Sequence, residues 1–215
     1  MDFKELLKER YAVKRYDNKE KIDDKVLNDI LECAVLTPSA VNMQPWEFFL
    51  VKTSVGKEKL KACIKDFNIE RFCDCYACIV IAAKTALNAQ DVMAICKKEE
   101  ADGRFENKEI FKNRYEHMLK AVDGHNFKGD IKEWCAKQSY IALGTILYAS
   151  HAYGVDSTPL EGIDADKADE ILDLKRQNLH TQCIVLLGKA AKDDSNSLKF
   201  RNKSRVNTVK EALFK

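Results

Sequence analysis

Apolar residues along the chain recur at two spacings, and the switches between them outline the elements. Phe3, Leu6 and Leu7 lie on a short helix that reaches Arg10. Val26, Leu27, Ile30, Leu31 and Ala34 share one face of a second helix, which Asp23 or Asp24 can cap. That helix must end near Thr37, because the residue before a proline avoids the helical region. EFFLVKT (47–53) reads as a strand, and 56–66 as a helix with Leu60, Cys63 and Ile64 inward. ACIVIAAKTA (77–86) is β-branched, apolar and short, the pattern of a buried strand. Residues 87–122 are polar and helical with a break near Asp102-Gly103. The helix over 130–153 is apolar around much of its circumference in its second half, so it is predicted to run through the core. Gly154 suits its C-terminal cap. A short extended segment, Val155 to Gly162, follows; Asp164 caps a helix to about Leu174, and TQCIVLLGK (181–189) is a further strand. Long helices with three to four strands and no regular βα alternation predict an α+β fold. No GxGxxG follows a strand and there is no P-loop.

Composition adds limits. The chain of 215 residues has only 3 prolines and 8 glycines, spread out, so no linker divides it and residues 1–215 read as one domain. With 36 basic and 34 acidic residues the net charge is +2, which gives no general drive toward nucleic acid or membrane. The longest apolar stretch, Ile141 to Val155, is interrupted by Thr145, Ser150 and His151 and is too short to span a bilayer. The opening MDFKELLKERY is a charged amphipathic stretch and not a signal peptide, so a soluble cytoplasmic protein is expected. The 8 cysteines then read as free thiols in a reducing compartment, buried where they fall in apolar helix patterns, as at Cys33 and Cys135. Cys73, Cys75 and Cys78 invite a redox or metal reading. Cys75-x-x-Cys78 runs into a strand, however, and no second C-x-x-C or nearby histidine completes a ligand set, so no metal is expected. His117, His125, His151 and His180 are scattered, and His151 reads as packed in the core helix.

Four polar islands interrupt the apolar pattern: Arg10–Arg15, Pro38–Trp46, Pro159–Gly162 and Lys203–Arg205. Each alone has a plain reading. RYAVKR is a solvated helix end, PLEG is a turn, and the late cations are a basic tail. Lys203 and Arg205, two apart in an extended segment, face the same way. TPSAVNMQPW (37–46) is harder to dismiss, since a plain connector needs about four residues and no tryptophan.

Together, RYAVKRY, TPSAVNMQPWEFFLV, WCAKQSYIALGTILYASHAYGVDSTPLEGID, CIVLLGK and the late KSR resemble the nitroreductase family of flavoenzymes, in particular the bacterial oxygen-insensitive NAD(P)H nitroreductases. The resemblance runs nearly end to end and is weakest between about 88 and 130. It implies an α-β-α sandwich with a mainly antiparallel sheet, a long buried core helix and an intertwined homodimer. It implies FMN as cofactor and NADH or NADPH as electron donor. By resemblance Arg10 contacts the FMN phosphate, with Tyr11 and Ala12 beside it, and Lys14 reaches N1/O2 of the isoalloxazine. Relatives often carry Ser where this chain has Ala12, so a hydroxyl contact is lost. Pro38, Ser39, Ala40 and Asn42 would cover the flavin held by the partner subunit, while Gln44, Pro45 and Trp46 brace that loop on its own core. Leu160, Glu161 and Gly162 would present backbone N–H groups to flavin N5 and O4. Asn68 would bond the pyrimidine edge, Arg71 would meet the NAD(P)H phosphates, and Arg104 is a weaker candidate for the nicotinamide cofactor. Lys203 and Arg205 would pinch the phosphate from the far end of the chain.

The activity so implied is hydride transfer from NAD(P)H through flavin N5 to nitroaromatic or quinone-type acceptors by a ping-pong mechanism, with no obligatory side-chain acid. Alternatives are a dihydropteridine or free-flavin reductase of the same fold, a non-catalytic flavin-binding module, or a thiol or metal protein using Cys73, Cys75 and Cys78.

Overall fold

The computed structural model describes residues 2–206; of the basic segment FRNKSRVN (200–207) that holds the late island, Asn207 lies outside them. Four strands form one sheet in the order β1 (Trp46–Val51), β2 (Ala77–Lys84), β4 (Leu179–Gly188), β3 (Asp156–Leu160), antiparallel throughout. β2 lies between two partners and has helices on both faces, so every residue from Ala77 to Ala83 is buried.

Alternation along β2 and β4 divides the core. Ala77, Ile79 and Ile81 of β2, with Cys183, Val185 and Leu187 of β4, face Leu143 and Ile146 of α7 (Ile131–Ala152) and Leu27, Ile30 and Ala34 of α2 (Asp24–Val35). Cys78 and Val80, with Ile184 and Leu186, face the other way. There they meet Leu60 of α3 (Ser54–Lys61), Phe72 of α4 (Asp66–Asp74) and Ala168 of α8 (Ala165–Leu172). The result is the predicted α+β sandwich, with α7 as the long core helix. α1 (Phe3–Glu9) packs on α7, and α5 (Ala89–Ala101) and α6 (Lys108–Lys128) form a helical pair beyond the sheet. No helix among the described residues is long and apolar enough to cross a membrane.

Several boundaries differ from the sequence pattern, each for a tertiary reason. The single helix expected over 56–66 stops at Lys61, and a second helix, α4, follows it. The break is held from outside: the Cys63 carbonyl accepts from Asp164 N (2.7 Å), and Lys65 N donates to the Gly162 carbonyl (3.1 Å). α8 ends at Leu172, where Asp173 turns left-handed at φ 53°, short of the expected Leu174. α6 continues to Lys128, past the expected 122, and ends at Gly129 with φ 73°. Gly154, at φ 71°, closes α7 as its sequence position suggests. Cys33 is only half-buried and Cys73 is exposed, while Cys63, Cys75, Cys78, Cys96, Cys135 and Cys183 are buried; all eight are free.

Candidate functional site

The two chain ends meet at α1. Arg10 leaves the helix in an extended conformation, which turns the carbonyls of the last turn outward. Lys203 Nζ donates to the Leu7 and Arg10 carbonyls, a cation at the negative end of a helix. Beside this contact lies a cavity of about 310 Å³ lined by Arg10, Tyr11, Ala12, Arg201, Lys203 and Arg205 together with their neighbours. Arg10 Nη1 is buried and has no hydrogen-bond partner among the described residues. Burial pushes the Arg10 pKa down, and Arg205 adds to the effect against an opposing contribution from Tyr148. Lys203 is lowered for the same reasons: burial first, then Arg10 and Arg205. Among the described residues none of Arg10, Lys14, Arg71, Arg201, Lys203 and Arg205 is ion-paired to a carboxylate. Cations gathered with no carboxylate paired to them repel one another, and an anion removes the cost. A guanidinium suits a phosphate in bidentate geometry.

The segment after Arg10 is fixed to the edge strand β3. Ala12 bridges Ser157, and the Thr158 hydroxyl donates to the Val13 carbonyl (2.7 Å). Asn196 Nδ2 donates to the Ala12 carbonyl (2.7 Å), and the buried Asp194 carboxylate accepts from Lys14 N (3.1 Å). Val13 is fully buried, so alternation turns Ala12 and Lys14 the other way. Burial lowers the Lys14 pKa, Arg71 and Arg201 lower it further, and Asp194 opposes them. Lys14, from the first island, and Arg71, on α4, therefore feel one another. The Arg71 side chain also reaches the Phe67 carbonyl (3.5 Å). Tyr11 is pushed up to about 12 by burial, then by Asp194 and Asp156.

The turn after β3 is rigid. Leu160 is buried, and the Gly162 carbonyl accepts from Lys65 N (3.1 Å) and Asn68 Nδ2 (3.0 Å). A Cβ at Gly162 would lie 2.5 Å from Asn68 Nδ2 and 2.6 Å from the Phe67 ring, so glycine is required by the chain itself. Asn68, expected to face a flavin, is 3% exposed and spends one amide hydrogen bracing this turn. The exposed Glu161 carboxylate accepts from the Tyr140 hydroxyl (2.5 Å), and burial followed by that bond raises the Tyr140 pKa well above its ordinary value.

The loop over 37–46 is tied to its own chain. Ala40 N donates to Gln138 Oε1 (2.8 Å), and Ser39 Oγ accepts from Gln44 N (2.8 Å). Asn42 Nδ2 donates to Glu99 Oε1 (2.8 Å), while Asn42 Oδ1 accepts from Gln44 Nε2 (3.1 Å). The Asn42 side chain is thus engaged within its chain at both atoms, and Pro38 and Ala40 are the outward parts of the loop. Pro45 and Trp46 are buried, with Trp46 set against Phe48 at 6.1 Å, as their bracing role requires. No hydrogen bond or ion pair among the described residues joins residues 38–42 to the basic cluster. Arg104 stands 3.2 Å from the buried Glu99 and is committed there.

The buried cysteines near β2 are held toward the thiol form. Burial pushes Cys63 and Cys75 up to about 11 and Cys78 well up, away from the thiolate that a metal or a redox pair needs. Among the described residues Asp166, Asp169 and His180 lie close enough to share an ion. Both Asp169 oxygens are already taken by His180 Nδ1 and by the Thr181 N–H and hydroxyl. His151 packs at 3.6 Å from Glu9.

Sequence reasoning missed Arg201, Tyr140, Asp194 and the Glu99–Arg114 pair. Arg201 stands two residues before Lys203 and had the same signal. The others have none, since a lone tyrosine, aspartate or glutamate on a polar stretch looks like solvated surface.

The nitroreductase family model matches residues 7–189. The chain is 28% identical to an oxygen-insensitive NAD(P)H nitroreductase of Enterobacter cloacae over 213 residues, 97% of this chain and 98% of the relative. Its fold is shared with a nitroreductase-like protein of Streptococcus mutans (TM-score 0.83, 22% identity, 99% and 98% of the two chains). It is also shared with a protein of Exiguobacterium sibiricum solved in complex with FMN (TM-score 0.77, 22% identity, 96% and 94% of the two chains). The chain belongs to the nitroreductase family and is an oxidoreductase of that fold.

Proposed function

We propose that the chain is an FMN-dependent NAD(P)H oxidoreductase, a single domain over residues 1–215 that works as a cytoplasmic homodimer and reduces nitroaromatic or quinone-type acceptors. The observation that carries the cofactor is the basic cavity, with the buried, unpartnered Arg10 Nη1 and no carboxylate paired to its cations among the described residues. A phosphate ester fits that donor set. Arg10, Lys203 and Arg205 would hold it from both ends of the chain. When bound, FMN supplies a ring that accepts hydride from NAD(P)H and passes it on. Lys14 would hold a positive charge beside that ring, and the turn at Glu161-Gly162, braced by Lys65 and Asn68, would offer it backbone N–H groups. Arg71 keeps a second positive charge near Lys14 for the dinucleotide phosphates.

The dimer rests on α1, α2 and α7. α1 and α2 both pack on α7, and they leave Phe3, Val35, Leu36, Tyr140 and Ile141 exposed on adjoining helices. Pro38 and Ala40, the exposed residues of the loop, would close the partner's pocket. Eight free cysteines suit a reducing compartment.

The purified protein is expected to be yellow, to release one FMN per chain on denaturation, and to bleach in an anaerobic NADH or NADPH titration followed in the visible spectrum. A colourless protein that binds no added FMN overturns the reading; a yellow protein that neither dinucleotide reduces is a flavin-binding module.

Lys14→Met removes the charge and keeps the length. The midpoint potential of bound FMN is expected to fall, because a cation there favours the more negative, reduced form. A preference of one decade in affinity for that form corresponds to about 30 mV. An unchanged potential would place Lys14 away from the ring. Replacing Cys73, Cys75 and Cys78 together with alanine is expected to leave FMN content and turnover intact at a cost of about 1 kcal/mol per buried thiol. Turnover that collapses while FMN stays bound would show thiol chemistry.

A further inference from the structure

The loop that follows α2 is strained. Val41, Asn42 and Gln44 all stand at positive φ, 48°, 58° and 47°. For a β-branched residue such as Val41 this region is an outlier that persists only when surrounding contacts impose it. Besides the bonds within the loop and from Gln138, the contacts on Val41 and Asn42 come from the α5–α6 pair. Arg114 of α6 donates through Nη2 to the Val41 carbonyl (2.8 Å), and Glu99 of α5 accepts from Asn42 Nδ2 (2.8 Å). Glu99 and Arg114 are locked to each other: Arg114 Nε reaches Glu99 Oε2 and Nη2 reaches Oε1, both at 2.9 Å. Arg104 Nη1 adds a second cation beside Glu99, at 3.2 Å. Glu99 is 3% exposed, although most of α5 is polar and solvated.

A buried ion pair contributes little net stability but fixes geometry, because a bidentate fork admits one arrangement. Here the same guanidinium that grips Glu99 also grips the loop carbonyl. The α5–α6 pair is therefore coupled to the loop through this fork as well as through the apolar packing of Val41 and Met43, and among the described residues the loop makes no hydrogen bond to the basic cavity.

We propose that Glu99 and Arg114 are positioning residues: the pair holds Val41 and Asn42 in their left-handed geometry and so presents Pro38–Ala40 to the flavin site of the partner subunit. This rests on the reading above, in which the loop closes the partner's FMN pocket. Neither Glu99 nor Arg114 lines the basic cavity.

The test compares Glu99→Gln and Asn42→Ala with the parent in two measurements. The first is hydrogen exchange over residues 38–46 in FMN-free protein; the second is affinity for FMN and for riboflavin by flavin fluorescence. Glu99→Gln keeps the shape and weakens the grip of Arg114, and Asn42→Ala leaves the Glu99–Arg114 fork intact while removing the loop's bond to Glu99 together with its bond from Gln44 Nε2. Exchange over 38–46 is expected to accelerate by about 10-fold in both variants, the size of one lost charge-assisted bond. Affinity for FMN and riboflavin is expected to fall by the same factor, about 3- to 10-fold, since the loop covers the ring and not the phosphate. Arg10→Ala, measured alongside, should weaken FMN alone. Should Glu99→Gln loosen all of 89–128, Asn42→Ala decides. Loop exchange at the parent rate, or unchanged flavin affinity in a parent that binds flavin, overturns the positioning role. A parent that binds neither FMN nor riboflavin overturns the functional reading beneath it.

Discussion

Replacing Arg205 with alanine is expected to weaken FMN binding by about 10- to 100-fold and to leave riboflavin binding nearly unchanged. The size follows from one charge-assisted phosphate contact, at about one decade per 1.4 kcal/mol. Arg10→Ala should do the same. The two residues stand at opposite ends of the chain yet line one cavity, and Arg205 lowers the pKa of Arg10. Groups that share one phosphate are coupled, so the double variant should depart from the sum of the singles. Salt should weaken FMN binding in the parent more than in either variant, because one ionic contact is gone. Riboflavin lacks the phosphate and is the control. Equal losses for FMN and riboflavin would mean that these residues support the fold, and the assignment at both chain ends would be wrong.

Asp169→Ala is expected to cost about 3–5 kcal/mol of stability, the range for breaking a buried network at one partner. Asp169 is 2% exposed and joins α8 to β4 through three bonds: His180 Nδ1 (2.7 Å), Thr181 N (2.8 Å) and the Thr181 hydroxyl (2.7 Å). Alanine leaves those donors facing a void, and Thr181, also 2% exposed, cannot turn to water. At about 2–4 °C per kcal/mol for a chain of this size, the thermal midpoint should drop by roughly 10 °C. Thr181→Val removes one donor and keeps the shape, so its loss should be much smaller. Equal losses would put the stability in the packing of residue 181 and not in the carboxylate.

Much of the fold was legible because it rests on short-range pattern. β-Branched, apolar content and short length marked β2, a second such run marked β4, and the structure sends alternate residues of each strand to opposite cores. A helix apolar on most sides had to be central, and α7 is. The antiparallel pairing and the strand order β1-β2-β4-β3 are another matter. Pairing is a choice among partners far apart in the chain, and it reached the sequence reading only through resemblance to a family.

The site divides the same way. Its charges were visible as runs of arginine and lysine in the first and last islands, since a side chain's charge belongs to the residue. What those charges do depends on what stands beside them. Lys203 as a cap on α1, Asn68 as a brace for Gly162, and Asn42 as a ligand of Glu99 are settled by contacts over 193, 94 and 57 residues. The same holds for the break after Lys61, where local propensity continued the helix and the Cys63 and Gly162 carbonyls took donors from the opposite segment instead. Local composition determined which segments could be helix or strand and where charge would gather. Only the tertiary structure decided which donors and acceptors meet, because a buried polar group takes whatever partner the packed chain brings within reach, and its neighbours in sequence do not say which that will be.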